Sequence, residues 1–238
     1  MNDSVVLAFS GGGDSTVLLY KAIKEFSKVY TISFDYGQRH IRELQCVDFH
    51  IKKNPTVDNK IVKLPFLSLF KGCSLTDKTI DVALTKNIMG DPQNNNYFPN
   101  RNTIFLSILT GYAESIGCNT VWYGAAQADS VAGFFDGSKE FLQKINEVNA
   151  LNRRHKIQIG APLIEMSKKQ ILQQGIQLGV DFSHTITCYS GEELACGICP
   201  SCSLRLAGWI SLKLCDPLKY QIQDKLEEVY KKNNCKAI

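Results

Sequence analysis

Residues 5–20 read VVLAFSGGGDSTVLLY, and the architecture of the chain can be built around them. Five apolar residues, 5–9, predict a buried strand; three glycines follow between a serine and an aspartate; residues 14–26 predict a helix, with Val17, Leu18, Ala22 and Ile23 on its apolar side. A strand, a glycine loop and a helix in that order leave backbone N–H groups unpaired at a helix N-terminus. The helix dipole favours negative charge there, so the expected ligand carries phosphate. Absent residues narrow the kind of loop. A Walker A loop needs a lysine after its last glycine, and there is none. A dinucleotide fingerprint begun at Gly11 would require glycine where Thr16 stands, and Gly-x-Ser-x-Gly is missing from the loop. What remains suits a pyrophosphate leaving group: Ser10 and Ser15 offer hydroxyls, Gly11, Gly12 and Gly13 let backbone approach closely, and Asp14 can hold Mg²⁺.

Strand and helix keep alternating after this unit. Strands are expected at 29–34, 61–64, 121–123 and near Ile157, with helices at 39–53, 103–116, 139–151 and 168–178. Such alternation implies right-handed crossovers and a doubly wound parallel sheet, an α/β fold. Residues 65–98 break the rhythm with glycine, proline and a polar run, and predict an irregular excursion over a site. Helices near 202–214 and 217–231 close the chain. The expected division is a nucleotide-binding region, 1–181, and a helical zinc-binding appendage, 182–238.

Composition excludes several classes. No apolar stretch approaches the ~18 residues that span a bilayer, and no leader-like segment opens the sequence, so a cytoplasmic protein is expected. The net charge is +4, and Arg153, Arg154 and Lys156 cluster without interleaved aromatics, which reads as a solvated face rather than a nucleic-acid groove. Of nine cysteines, Cys188, Cys196, Cys199 and Cys202 have the spacing C-x7-C-x2-C-x2-C. Four thiolates so spaced can surround one tetrahedral Zn²⁺ and leave it no open position, the mark of a structural site, with an iron–sulfur cluster as the rival occupant.

SGGGDS resembles the pyrophosphate loop of the N-type ATP pyrophosphatases, of the adenine nucleotide alpha hydrolase-like fold. FDYGQRH at 34–40, FPNRN at 98–102, TCY at 187–189 and CGICPSCSLR at 196–205 together resemble the 7-cyano-7-deazaguanine synthase (QueC) family. That resemblance implies an ATP-dependent carbon–nitrogen ligase that converts 7-carboxy-7-deazaguanine and ammonia to the nitrile through adenylated intermediates, with ATP, Mg²⁺ and Zn²⁺, as a homodimer. It implies nucleotide contacts from Ser10, Gly11, Gly12, Gly13, Asp14, Ser15, Thr16, Asp35, Arg39 and Asn102, and catalytic roles for Asp14, Arg101 and Lys168. Lys168 aligns with a family lysine after the Pro162-Leu163 pair. The deazapurine is expected against His40, Asp129 or Asp136, and Phe134 or Phe135, since a carboxylate accepts from adjacent N–H donors and an aromatic face stacks on a flat ring.

The sequence departs from the family around that pocket. The usual aspartate, cysteine, arginine run reads Asp136, Gly137, Ser138; an extra residue falls between Asp129 and Gly133; Gln127 stands for a glutamate and Asn100 for a glycine. Lys139, one position on, is a point charge and no equivalent of the missing arginine. Two other readings keep the same activation step: a deazapurine acid joined to another amine, such as a protein amine in anti-phage defence, and a tRNA-modifying pyrophosphatase, which would need a basic aromatic surface.

Overall fold

The computed structural model describes residues 3–39, 42–84, 95–127, 134–152 and 156–237. His40, Asp129, Gly133, Arg153 and Arg154 lie outside the described residues. Strands β1 (Ser4–Ala8), β2 (Lys28–Asp35), β3 (Asp58–Lys63), β4 (Thr120–Trp122) and β5 (Gln158–Gly160) form an all-parallel sheet in the order β3-β2-β1-β4-β5. The helices are α1 (Gly13–Glu25), α2 (Glu43–Lys53), α3 (Arg101–Ser115), α4 (Lys139–Asn149), α5 (Lys168–Leu178), α6 (Pro200–Ser211) and α7 (Gln223–Lys232).

After Ser4, β1 is unbroken apolar sequence because both of its faces are covered. Val5, Leu7 and Phe9 join Val17, Leu18, Ile171 and Trp209 in one core, while Val6 joins Ile32, Phe34, Leu106, Leu109 and Val121 in the other. The chain runs outward from β1 through β2 to β3 and then returns to the far side of β1 for β4 and β5. At such a reversal the flanking crossovers diverge, and a crevice opens beyond the carboxyl ends of the central strands.

Element boundaries moved where distant contacts compete with local pattern. Helix α2 starts at Glu43 rather than residue 39, because the Arg39 N–H donates to the Leu75 carbonyl at 2.8 Å and its guanidinium donates to the carbonyls of Asp77 and Ile80 at 2.8 and 2.6 Å. The segment is thereby tied to the excursion. That excursion opens with a short 3₁₀ turn, Pro65–Leu69, and then folds on itself, with the Ser74 hydroxyl donating to Asn96 Oδ1 at 2.7 Å.

A buried ion pair holds the C-terminal region together internally. Arg205, 3 % exposed, donates from Nε and Nη2 to the two carboxylate oxygens of Asp216 at 2.7 and 2.8 Å, and from Nη1 to the Thr185 carbonyl and hydroxyl. The Tyr220 hydroxyl donates to the same carboxylate at 2.7 Å. Removing one partner of so buried a pair costs about 3–5 kcal/mol, since the other is left charged and unpaired. Gly208 lets α6 close on α5: a Cβ there would stand 2.7 Å from Lys168 Cγ.

Candidate active site

The loop after β1 carries no side-chain cap for α1. Its N-cap is Gly12, extended at φ −74° and ψ 161°, so the first-turn N–H groups of Gly13, Asp14 and Ser15 are left for a ligand. The loop shape is held from within. The Gly12 N–H donates to Ser10 Oγ at 3.2 Å, the Ser10 and Ser15 hydroxyls meet at 3.0 Å, and the Ser15 and Thr16 hydroxyls donate to the Gly12 carbonyl at 3.1 and 2.8 Å. Gly11, at φ +80°, turns the chain against the first turn of α2; a Cβ on it would lie 2.3 Å from the Glu43 carbonyl oxygen.

A cavity of about 270 Å³ opens from this loop into the crevice at the carboxyl ends of β1, β2 and β4. Ser10, Gly12, Gly13, Asp14 and Ser15 belong to its wall, and so do Arg101, Asn102, Phe134 and Asp136. Gly11 and Thr16 sit behind the lining. Asp35 and Arg39 are not part of the lining: the Asp35 carboxylate accepts from the Gly37 N–H at 3.4 Å, and Arg39 is committed to the excursion. Lys168 reaches the site through Asp14, donating to both carboxylate oxygens at 2.6 Å. Phe135 is 65 % exposed and stands outside the cavity.

The departures around residue 137 take a physical form. Gly137 lines the cavity without a side chain, and Ser138 turns away to cap α4, accepting from the Phe141 N–H at 3.1 Å. Lys139 pairs with Glu165 on an exposed surface. Among the described residues, Arg101 is therefore the one cation at the cavity wall.

Several lining residues escaped the reading of motifs. Tyr36, Glu43, Tyr123 and Tyr189 all border the cavity, and Phe34 stacks on Phe105 at 4.0 Å to form an aromatic floor. Tyr36 and Tyr189 lie inside the quoted motifs, so their signal was present but unspecific. Arg101, on the first turn of α3, is the electrostatic centre: burial works against its charge, and Tyr36, Tyr189 and Asp136 more than restore it, holding the guanidinium above its ordinary value. Burial raises the Asp136 carboxyl against the opposing pull of Arg101. Burial pushes Glu43 up to about 8, again against Arg101.

The four clustered cysteines are all buried, and their sulfurs lie within 4.8 Å of one another, with Cys196 and Cys202 at 4.0 Å. Sulfurs about 2.3 Å from a tetrahedral zinc stand about 3.8 Å apart, so this donor set fits that ion. Backbone N–H groups of Cys196 and Cys199 donate to Cys188 Sγ and Cys196 Sγ at 3.2 and 3.3 Å, which favours thiolate. Thr187, Tyr189 and Ser201, each next to one of these cysteines in sequence, line the cavity.

Comparison with known proteins agrees with this arrangement. Residues 4–213 match the family model described as "Queuosine biosynthesis protein QueC". The chain is 38 % identical over 222 residues to 7-cyano-7-deazaguanine synthase 1 of Colwellia psychrerythraea, covering 93 % of this chain and 100 % of that protein. It is 40 % identical over 237 residues to the 7-cyano-7-deazaguanine synthase of Thermoplasma volcanium, covering 98 % and 96 %. Among solved structures, NMN synthetase from Francisella tularensis superposes with a TM-score of 0.52 at 13 % identity over 98 % of this chain and 84 % of that one, a likeness of fold alone.

Proposed function

Because the chain belongs to the QueC family, we propose that it converts 7-carboxy-7-deazaguanine and ammonia to 7-cyano-7-deazaguanine at the expense of ATP. The observation that carries this reading is one cavity lined both by an uncapped phosphate loop and by the stacked Phe34 and Phe105 rings, with Arg101 in its wall. The substrate carboxylate attacks the α-phosphorus, the bond to the β-phosphate oxygen breaks, and pyrophosphate leaves into the loop. The N–H groups of Gly13, Asp14 and Ser15 receive its charge, and the Asp14–Lys168 pair brings an ammonium group to the same end. Asp14 would hold a magnesium ion carried in with the triphosphate, and that ion would supply further neutralisation of the leaving group. Preorganised donors of this kind supply the largest share of such catalysis.

Arg101 is placed to orient the acid, since no other cation of the described wall can, and Asn102 fixes the neighbouring loop by donating to the Asp136 carbonyl at 3.1 Å. Phe134 and Asp136 are assigned to the deazapurine face and its N–H edge; His40 and Asp129 keep that assignment from the sequence. Asp35 and Arg39 are assigned to the nucleotide's outer contacts. Zinc at Cys188, Cys196, Cys199 and Cys202 would brace the wall without touching the reaction. The division at residue 181, a cytoplasmic location and a homodimer belong to the same proposal; no helix among the described residues is long and apolar enough to cross a membrane.

Mass spectrometry of products from ATP, 7-carboxy-7-deazaguanine and ammonium tests it. The nitrile, with AMP and pyrophosphate, is the expected result. Amide alone would mean that the Gly137–Ser138 pocket stops the sequence halfway, and absence of AMP with any acid would remove the reading.

A further inference from the structure

Acyl transfer to ammonia needs more than an activated acid. At neutral pH the nucleophile arrives as ammonium, which has no lone pair to attack with. A group at the site must take its proton. Three acids line the described cavity: Asp14, Glu43 and Asp136. Asp14 has both oxygens on Lys168 at 2.6 Å, and Asp136 is assigned above to the N–H edge of the deazapurine. Glu43 is the third. Its helix turn rests on the phosphate loop, the carbonyl oxygen 2.3 Å from where a Gly11 Cβ would be, and its carboxyl shares Arg101 with Tyr36 and Asp136. The bond to be made lies between loop and deazapurine, in the same cavity that Glu43 lines with Arg101 beside it.

We propose that the Glu43 carboxylate is the base that accepts a proton from ammonium beside the acyl adenylate. This rests on the ligase reading above. An N–H bond of ammonium breaks and an O–H bond forms on Glu43; the freed lone pair attacks the acyl carbon; the C–O bond to AMP breaks with its electron pair on the phosphate oxygen; and the nitrogen sheds a second proton to water, leaving the amide. A carboxyl at the first turn of a helix is ordinarily favoured as an anion. Here burial outweighs the helix, and a proton affinity near that of the working pH is what a general base requires. Among the described residues, the groups facing it include Arg101 from α3, Tyr36 just beyond β2, and Cys46 from its own helix.

The test uses the full chain and two reactions. Exchange of labelled pyrophosphate into ATP, dependent on 7-carboxy-7-deazaguanine and run without ammonium, reports adenylation. Amide formation with ammonium chloride reports transfer. Glu43→Gln should lower the ratio of transfer to exchange about 100-fold at neutral pH. The deficit should close at alkaline pH, where ammonia is already free, and Glu43→Asp should recover part of the ratio. An equal loss in both reactions, or a deficit that does not change with pH, would overturn the proposal and leave Glu43 a structural residue. A wild-type chain without exchange would overturn the ligase reading itself, and this inference with it.

Discussion

His50 shows what one buried side chain does to the pH response of the fold. It is fully buried, edge-on to Phe9, Tyr20 and Phe49, and its two nitrogens are spoken for. Nε2–H donates to the His184 carbonyl at 3.1 Å, and Nδ1 accepts from the Tyr20 hydroxyl at 3.2 Å. That arrangement suits the neutral ring, and burial drives its pKa down to about 4. Above pH 6.5 neither folded nor unfolded chain protonates it. As pH falls from about 6.5 to about 4, the unfolded chain takes up a proton that the folded one refuses, so stability is lost through that window, by about 3 kcal/mol at full effect. Urea unfolding across that range should show the decline, and His50→Asn should flatten it while lowering stability at pH 7.

At the scale of elements, the glycine loop and α2 behave as one piece. Gly11→Ala must hold a side chain at φ +80° and drive α2 off the loop, at a cost of about 2–4 kcal/mol. Gly12→Ala has its tightest contact with the Ser10 hydroxyl at 3.2 Å, the next being ordinary contacts at 3.4 Å and beyond, and has an ordinary φ, so its stability change should be much smaller. Denaturation midpoints of the two variants compare them directly. The sequence located elements well where the signals were local. Helix α5 runs over the expected residues 168–178 because Ser167 and Gln170 cap it reciprocally and Gly179, left-handed at φ 78°, ends it. The start of α7 was misplaced at 217 because the preceding residues are held by a bridge between Ala195 and Tyr220, a contact no periodicity announces. The start of α2 failed for the same reason, through Arg39 and Leu75.

For the whole molecule, the pattern repeats within the site. Ser10–Ser15 and the four cysteines are contiguous or closely spaced, so their chemistry could be read from spacing. Glu43, Tyr36 and Tyr123 acquire meaning only when β2, β4 and α2 converge, and Glu43 was missed for that reason. The four-cysteine cluster belongs to this convergence, since Thr187, Tyr189 and Ser201 beside its cysteines are also cavity wall. Stripping the metal with a chelator should therefore do two things: lower the melting temperature, as loss of a structural ion does, and raise hydrogen exchange over residues 186–205 and at the cavity wall. Protection of that segment unchanged after metal removal would separate cluster from cavity.

The cavity's wall runs in sequence from Ala8 to Ser201. A ribosome making this protein finishes the phosphate loop early, yet the nascent chain has nothing to close over a nucleotide until α6 has emerged and seated Ser201 beside it. Chains truncated ahead of residue 200 should therefore be inert toward ATP, which pyrophosphate exchange on such fragments checks.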